Sequence, residues 1–266
     1  LNFLSSNQSE KKTHNIEKIK KNVTNKLSLY GYETKSIHEF VNNNFSDEYF
    51  SKFNIIDLVW QIRTIHGQNL KKKQLIKFKL GNLDEGITIL VYLPERKDLF
   101  HDICCFLNNE NYPIYQADIY TTKTNYALDI IKVSSQTALS ISDKFFEHME
   151  KKFLDFLNSN NKDKIREKTN PSRQLKSFPI KYTVEIISHN LPDYYYIVIS
   201  GADKPGILIK LTKVLSNNKL NIISAKINTL GDRVEDSILV RTKKLKDQVK
   251  KNEIIKTIVQ SLEDLN

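Results

Sequence analysis

The sequence predicts an α+β protein in which a short helical segment is followed by two βαββα modules. Three observations carry that reading. Apolar residues before position 80 recur at helical spacing, one order of strand-like and helix-like stretches occurs twice after it, and the two copies agree residue by residue at a nearly fixed offset. The chain has 266 residues, enough for about two domains. Hydrophobic residues make up 39% and charged residues 27%, which supplies cores and excludes wholesale disorder.

Residues 1–80 form the helical segment, read as the tail of a helical domain lying upstream. Ile16, Ile19, Val23, Leu27 and Tyr30 share one helix face, and Gly31 ends that helix. A second helix is expected from Ser36 to Asn42 and a third from Asn54 to His66, with Asn54 as N-cap. The start at Leu1 reads as part of a longer protein or a partial gene.

The first module spans 81–164. Ile87–Leu93 is a strand by composition and alternation, stopped by Pro94, and Leu99–Leu107 is a helical run behind Asp98. Ile114–Tyr120 and Tyr126–Val133 flank a hairpin turn, and Ile141, Phe145, Met149, Phe153 and Leu157 mark a second helix. A polar, proline-containing linker is placed at 165–177.

The second module spans 178–266. It has a leading strand, Tyr182–Ile187, then Tyr195–Ser200, then Asp203-Lys204-Pro205-Gly206 opening a helix to about Asn217. Asn221–Ile227 and Val234–Thr242 form a hairpin around Gly231-Asp232-Arg233, and Ile254, Ile258 and Leu262 lie on a final amphipathic helix. At an offset of 108, Glu95 meets Asp203, Leu99 meets Ile207 and Ala117 meets Ala225; one residue less after the hairpin, Asp129 meets Asp236. Element order and single residues agreeing together indicate a duplication.

The formal charge of +10 invites a nucleic-acid reading. Only 6 of the 41 basic residues are arginine, and they are dispersed, which suits a solvated lysine-rich surface better than a phosphate-binding patch. Specific nucleic-acid binding is therefore not expected. Cys104 and Cys105 are adjacent, which excludes a disulfide framework and a CxxC metal site; they read as small core residues of a cytoplasmic protein. No run of about 18 apolar residues is present, so no membrane partner is expected. The Tyr194-Tyr195-Tyr196 run leads into strand alternation and reads as sheet packing.

A strand, then Asp203-Lys204-Pro205-Gly206-Ile207-Leu208, a helix, and Asn221-Ile222 opening the next strand resemble the ACT domain, a ferredoxin-like regulatory module that binds amino acids. Asp47-Glu48-Tyr49-Phe50 with Trp60-Gln61-Ile62-Arg63 resembles the end of the helical region of the bifunctional protein-PII uridylyltransferase/uridylyl-removing enzymes. Ala225–Asp236 resembles their second ACT hairpin, and Asp118–Thr122 with Tyr126–Asp129 their first. The resemblance implies a C-terminal regulatory region that senses an amino acid, glutamine in that family. It also implies protein PII as partner through the parent enzyme and ACT–ACT pairing within or between chains. A stand-alone ACT module with no enzyme attached is the alternative, and a non-specific nucleic-acid binder, resting on charge alone, is the third.

The implied effector site is the turn before each ACT helix. Backbone N–H groups and the helix dipole suit a carboxylate, and glycine lets the ligand come close. Asp203, Gly206, Ile207, Asn221 and Ile222 are the candidates in the second repeat, with Asp203 for the ammonium and Asn221 for a side-chain amide. In the first repeat Asp98 replaces the glycine, ahead of Leu99. Its carboxylate is expected to cap its own helix and repel a ligand, leaving that repeat mainly a pairing partner.

Nucleotidyl transfer in that family needs Gly-Ser followed by paired aspartates that hold Mg²⁺, and the aspartates here are scattered singly. No catalytic residue, metal or cofactor is therefore assigned to this chain, Mg²⁺ belonging to the parent enzyme's other domains. His101-Asp102 spells the phosphohydrolase dipeptide but falls on the first ACT helix and reads as structural, with His66 and Asp129 poorly placed to complete a metal set. The chain incubated with UTP, Mg²⁺ and protein PII is expected to leave PII unmodified; steady modification would contradict this.

Overall fold

A computed structural model describes residues 2–67, 74–81, 86–134, 142–159, 181–230 and 233–265, with residues 2–14 and 230 described by their main chain alone. The expected linker at 165–177 and the Gly231-Asp232 turn lie outside these residues. The described residues divide into two compact units: Leu1–Leu75 with Leu90–Glu95 and Tyr120–Leu128, and Ile76–Ile89 with Arg96–Ile119 and Asp129–Asn266.

The first unit is built on helices α1 (Asn2–Ser28), α2 (Thr34–Asn44), α3 (Asp47–Lys52) and α4 (Ile55–His66). Ile16, Val23 and Leu27 are buried as their spacing requires, but Tyr30 lies past the end of α1 and is exposed, with the Arg63 guanidinium over its ring. Asn54 caps α4, its side-chain oxygen accepting from the Asp57 N–H at 2.9 Å. Helix α3 is an addition to the sequence expectation. It forms because Tyr49 and Phe50 on one turn are both fully buried. Tyr49 stacks on Phe45 at 4.5 Å, meets the Tyr120 ring at 5.2 Å and donates to Gln61 Oε1 at 2.6 Å. Three of the stretches that carried the family resemblance therefore meet at one buried tyrosine.

The sheet strands are β1 (Leu75–Leu80), β2 (Ile87–Pro94), β3 (Ile114–Thr121), β4 (Tyr126–Val133), β5 (Thr183–Ser188), β6 (Tyr194–Ala202), β7 (Asn221–Lys226), β8 (Thr229–Leu230) and β9 (Arg233–Arg241). Their order is β1-β2-β4-β3-β7-β9-β6-β5, with β8 added on β9. This order reads the same from either end once β1 is matched to β5, β2 to β6, β4 to β9 and β3 to β7. The duplication is thus a two-fold arrangement in space, and the α+β class expected from the sequence holds.

The centre of that arrangement is the β3–β7 pairing in the second unit. Ala117 lies opposite Ala225, its own repeat mate, while Gln116 faces Lys226 and Asp118 faces Ser224. Shifting each member by 108 residues turns one flanking pair into the other. Helices α5 (Leu99–Asn109) and α7 (Ile207–Asn217) are repeat mates of identical length and also meet. His101 Nδ1 lies 3.2 Å from the Ile209 carbonyl oxygen and 3.1 Å from Thr212 Oγ1. Two residues past the end of each helix the backbone enters the left-handed region, Asn111 at φ 61° and Lys219 at φ 57°, again 108 apart.

The remaining helices are α6 (Asp143–Asn158) and α8 (Gln248–Glu263). Phe153 of α6 stacks on Phe106 of α5 at 3.9 Å. Glu150 of α6 accepts from the Phe78 N–H on β1 at 3.2 Å and from Lys77 Nζ at 2.6 Å, which satisfies part of an edge strand. Strand β1 is a leading strand that the sequence reading did not place; it precedes the boundary expected at residue 81.

In the second repeat the Tyr182 ring packs against the main chain of Gly201, and its hydroxyl donates to the Ala202 carbonyl at 2.8 Å. A Cβ on Gly201 would fall 2.1 Å from Tyr182 Cδ1. Gly201→Ala should therefore displace the ring and destabilise the protein by roughly 1–3 kcal/mol in urea unfolding. An unchanged midpoint would show that the ring relocates at no cost.

Candidate functional site

The two βα turns are built alike. Gly206 has φ 87° and Asp98, 108 residues earlier, has φ 61°. Ile207 N–H reaches the Lys204 carbonyl at 3.3 Å, as Leu99 N–H reaches that of Arg96 at 3.4 Å. Lys210 N–H donates to the Gly206 carbonyl at 2.9 Å, as Asp102 N–H does to that of Asp98 at 2.9 Å. A left-handed residue before the helix explains the glycine at 206, and aspartate is one of the few side chains that tolerates the same conformation. The N-cap residues of α5 and α7, Asp98 and Gly206, make no side-chain cap bond. The helix dipole at such an end favours an anion.

The capping role expected of Asp98 is corrected by the structure. Its side chain makes no cap bond to its own helix. The carboxylate instead accepts from the Ser216 hydroxyl and lies 3.5 Å from Lys213 Nζ, both on α7 of the other repeat. Partial burial works against its charge. The Ser216 hydroxyl and the Lys213 and Lys97 ammonium groups outweigh this and hold the carboxyl below its ordinary value.

The strand register divides the expected site of the second repeat. Asp203, Gly206 and Ile207 follow the Ala202 end of β6, where Ala202 pairs with Arg233. Asn221 pairs with Arg241, which pairs with Tyr194 at the other end of β6, and Ile222 pairs with Val240. Eight residues of strand separate the two ends, about 25 Å. Asn221 and Ile222 are therefore not beside Gly206 of their own repeat. Helix α7 ends at Asn217 and leads into Asn221, and its last turn meets Asp98. The two-fold relation thus sets Asn221 and Ile222 at the Asp98–Leu99 end. At the Gly206 end it sets their mates Pro113 and Ile114, and Asn108 as the mate of Ser216. The Asn108 amide nitrogen is shielded from solvent and has no hydrogen-bond partner among the described residues.

Asp203 is exposed and Ile207 buried. Behind Asp203 stands a residue that sequence reading recorded only as a repeat mate. Asp236 is 1% exposed, accepts from the Asn228 main-chain N–H and has no partner for Oδ1 among the described residues. Burial, with the Asp203 charge adding to it, pushes its carboxyl up to about 7. Asp129, its mate, is equally buried. The legible signal was alternation: Val234, Asp236, Ile238 and Val240 all lie on the buried face of β9.

The other sequence candidates serve packing. His101 is held by α7 as above, with Cys105 Sγ 3.7 Å from Nε2, and Asp102 pairs with Arg96 at 2.6 Å. Burial pushes the Cys104 thiol well above its ordinary range. Among the described residues no group of three His, Cys, Asp or Glu side chains is placed to hold a metal ion, and no helix is long and apolar enough to cross a membrane. Tyr195 is buried in the sheet, while the Arg241 guanidinium lies over the Tyr194 ring at 5.6 Å.

Asp236 makes a pH-dependent prediction. Its raised value means that the native state keeps a proton which the unfolded chain loses near pH 4, so its contribution falls as pH rises from about 4 through about 7. Asp236→Asn should gain stability relative to the wild type across that window, by up to roughly 4 kcal/mol above pH 8. Urea unfolding of both proteins at pH 5 and pH 8 checks it; an equal difference at both would contradict the assignment.

Residues 195–254 match the family model for the ACT domain. The chain is 31% identical over 210 residues to a bifunctional uridylyltransferase/uridylyl-removing enzyme of Chromobacterium violaceum, covering 75% of this chain and 23% of that protein. Enzymes of the same description from Nitrosospira multiformis and Thiobacillus denitrificans are 32% and 28% identical over 69% and 82% of this chain, and 21% and 26% of their own length. The chain spans about a quarter of the length of these curated relatives. With the palindromic sheet and the paired turns, these similarities make residues 195–254 an ACT domain in a chain that matches the C-terminal regulatory part of the bifunctional uridylyltransferase/uridylyl-removing enzymes.

Proposed function

We propose that this chain is an amino-acid-sensing regulatory region, that its effector is glutamine, and that it controls the uridylylation of protein PII by the enzyme whose relatives it matches. The observation that carries the reading is the Gly206 turn. It starts a helix at a residue that has no side chain to cap it, in a domain type that binds amino acids generally. Asp203, exposed on the same turn, is the partner for the ammonium group. A carboxylate on the N–H groups of α7 and an ammonium at Asp203 would together select an α-amino acid. Glutamine itself, and protein PII as the downstream target, come from the family resemblance.

Gly206→Asp tests the site. A Cβ at position 206 would meet only Leu265 Cδ2 at 3.8 Å, so space is available. The left-handed backbone costs a non-glycine residue about 1–2 kcal/mol, and Asp98 shows that the turn accepts an aspartate. The new carboxylate would put a like charge against the ligand. Calorimetry with glutamine is expected to show binding to the wild type and none to Gly206→Asp, whose melting temperature falls by only a few degrees. A folded mutant that binds glutamine with unchanged affinity would remove the ligand from this turn.

A further inference from the structure

The strand order ends on two edge strands, β1 and β5, which are repeat mates 108 residues apart. Both are held in the same phase. Gly81 N–H donates to the Gly86 carbonyl at 2.8 Å, and His189 N–H to that of Tyr194 at 2.9 Å. Bonded residues alternate along an antiparallel pair. Strand β5 pairs with β6 in unbroken register from Thr183–Ser200 to Ser188–Tyr195, so Thr183, Glu185 and Ile187 turn their main-chain groups toward β6. Val184, Ile186 and Ser188 turn theirs to the free edge. On β1 the same phase turns Phe78 outward, and there Glu150 of α6 accepts its N–H. The second repeat has no such guard. Helices α6 and α8 are equally long, and the buried positions Met149, Phe153 and Leu157 recur as Ile254, Ile258 and Leu262. Glu150 therefore corresponds to Ile255, whose side chain cannot accept a hydrogen bond. Among the described residues no group bonds the outward N–H and C=O of Val184, Ile186 or Ser188. The strand also lacks proline, bulge and lysine, the usual protections of an edge. Ile187 is 49% exposed beside its register partner Tyr196, 37% exposed.

We propose that β5 is a docking edge for a second copy of this chain, the two β5 strands pairing antiparallel so that two sheets become one. The strand is complementary to itself. With Ile186 opposite Ile186 of the second copy, Val184 falls opposite Ser188, and Ser188 opposite Val184. Every outward residue then meets an outward residue, and each such pair exchanges two hydrogen bonds, which uses all the free groups named above. On the open face Glu185 falls opposite Ile187 of the second copy, so no like charges lie directly opposite each other. The fold already joins equivalent strands in this manner, β3 to β7 about Ala117 and Ala225. The assembly closes at two chains, because the edges left over are both β1, guarded by Glu150. This interface is separate from the pairing of the two repeats and does not depend on the effector reading.

Sedimentation velocity of the full chain is expected to show a dimer that forms with rising concentration, and amide exchange at Val184, Ile186 and Ser188 is expected to slow as it forms. Ser188→Pro removes an outward N–H at an exposed position and sets a ring on the edge, where a folded strand tolerates proline. It is expected to remain a folded monomer. Ile187→Glu changes an exposed side chain, sets like charges opposite each other at both Glu185 positions, and is also expected to be monomeric. It covers the case where the proline variant does not fold. Adding Glu185→Lys to Ile187→Glu puts opposite charges across the same pairs and is expected to restore the dimer, a rescue that depends on this register. A wild type that stays monomeric to its solubility limit would overturn the proposal. So would a dimer that survives Ser188→Pro and Ile187→Glu, edge amides already slow in the monomer, or a monomeric Ile187→Glu that Glu185→Lys fails to rescue.

Discussion

The antiparallel pairing of Ala117 with Ala225 is the contact on which the second unit depends. A residue paired with its own repeat mate lies at a two-fold centre. That centre fixes the strand order on either side of it and brings α5 against α7. It also decides which turn meets which helix end. The small side chains of alanine suit the position, because equivalent residues from the two copies meet there face to face, and both are fully buried. His101 acts in the next layer, its Nδ1 reaching the carbonyl oxygen of Ile209, again its own mate.

A duplicated module can diverge while its symmetric frame is kept, and this chain has done so at the turns. Backbone conformation, turn hydrogen bonds and helix length agree between the copies. The side chains do not: aspartate against glycine, Ser216 against Asn108, Lys213 against Cys105, Asn221 against Pro113. The differences collect at the two helix ends, and the shared residues collect in the sheet. Asp203 and Asp236 add a second asymmetry. The buried carboxyl of Asp236 titrates near neutrality beside an exposed carboxylate on the turn, so charge brought to that turn is felt inside the sheet.

Much of this was legible in the sequence because the repeat is local in character. Strand alternation, helical spacing and the Asp203–Gly206 turn are each contained in a few residues. What escaped depended on distant partners. Strand β1 is a six-residue run with lysines at 77 and 79, and only Glu150, more than 70 residues on, marks it as a sheet edge. Helix α3 is too short to show periodicity and exists through the burial of Tyr49 and Phe50. The direction of the Asp98 carboxylate is decided by Ser216, 118 residues away. The grouping of Asn221 with Gly206 failed for a related reason. Adjacency in the sequence of one repeat does not reveal that a strand and a helix run to opposite ends of the sheet.

The central claim is that the two repeats of one chain form a single sheet through the β3–β7 pairing. The most direct measurement is the set of nuclear Overhauser contacts between Ala117 and Ala225 in dilute protein, with the amide of Ile227, which donates to the Tyr115 carbonyl at 2.9 Å, as a second marker. Recorded on uniformly labelled protein and on a mixture of differently labelled chains, these contacts separate pairing within a chain from pairing between chains. The account predicts an Ala117–Ala225 contact in the uniformly labelled sample and none between differently labelled chains. A contact found only between chains, or its absence in a folded monomer, would contradict it.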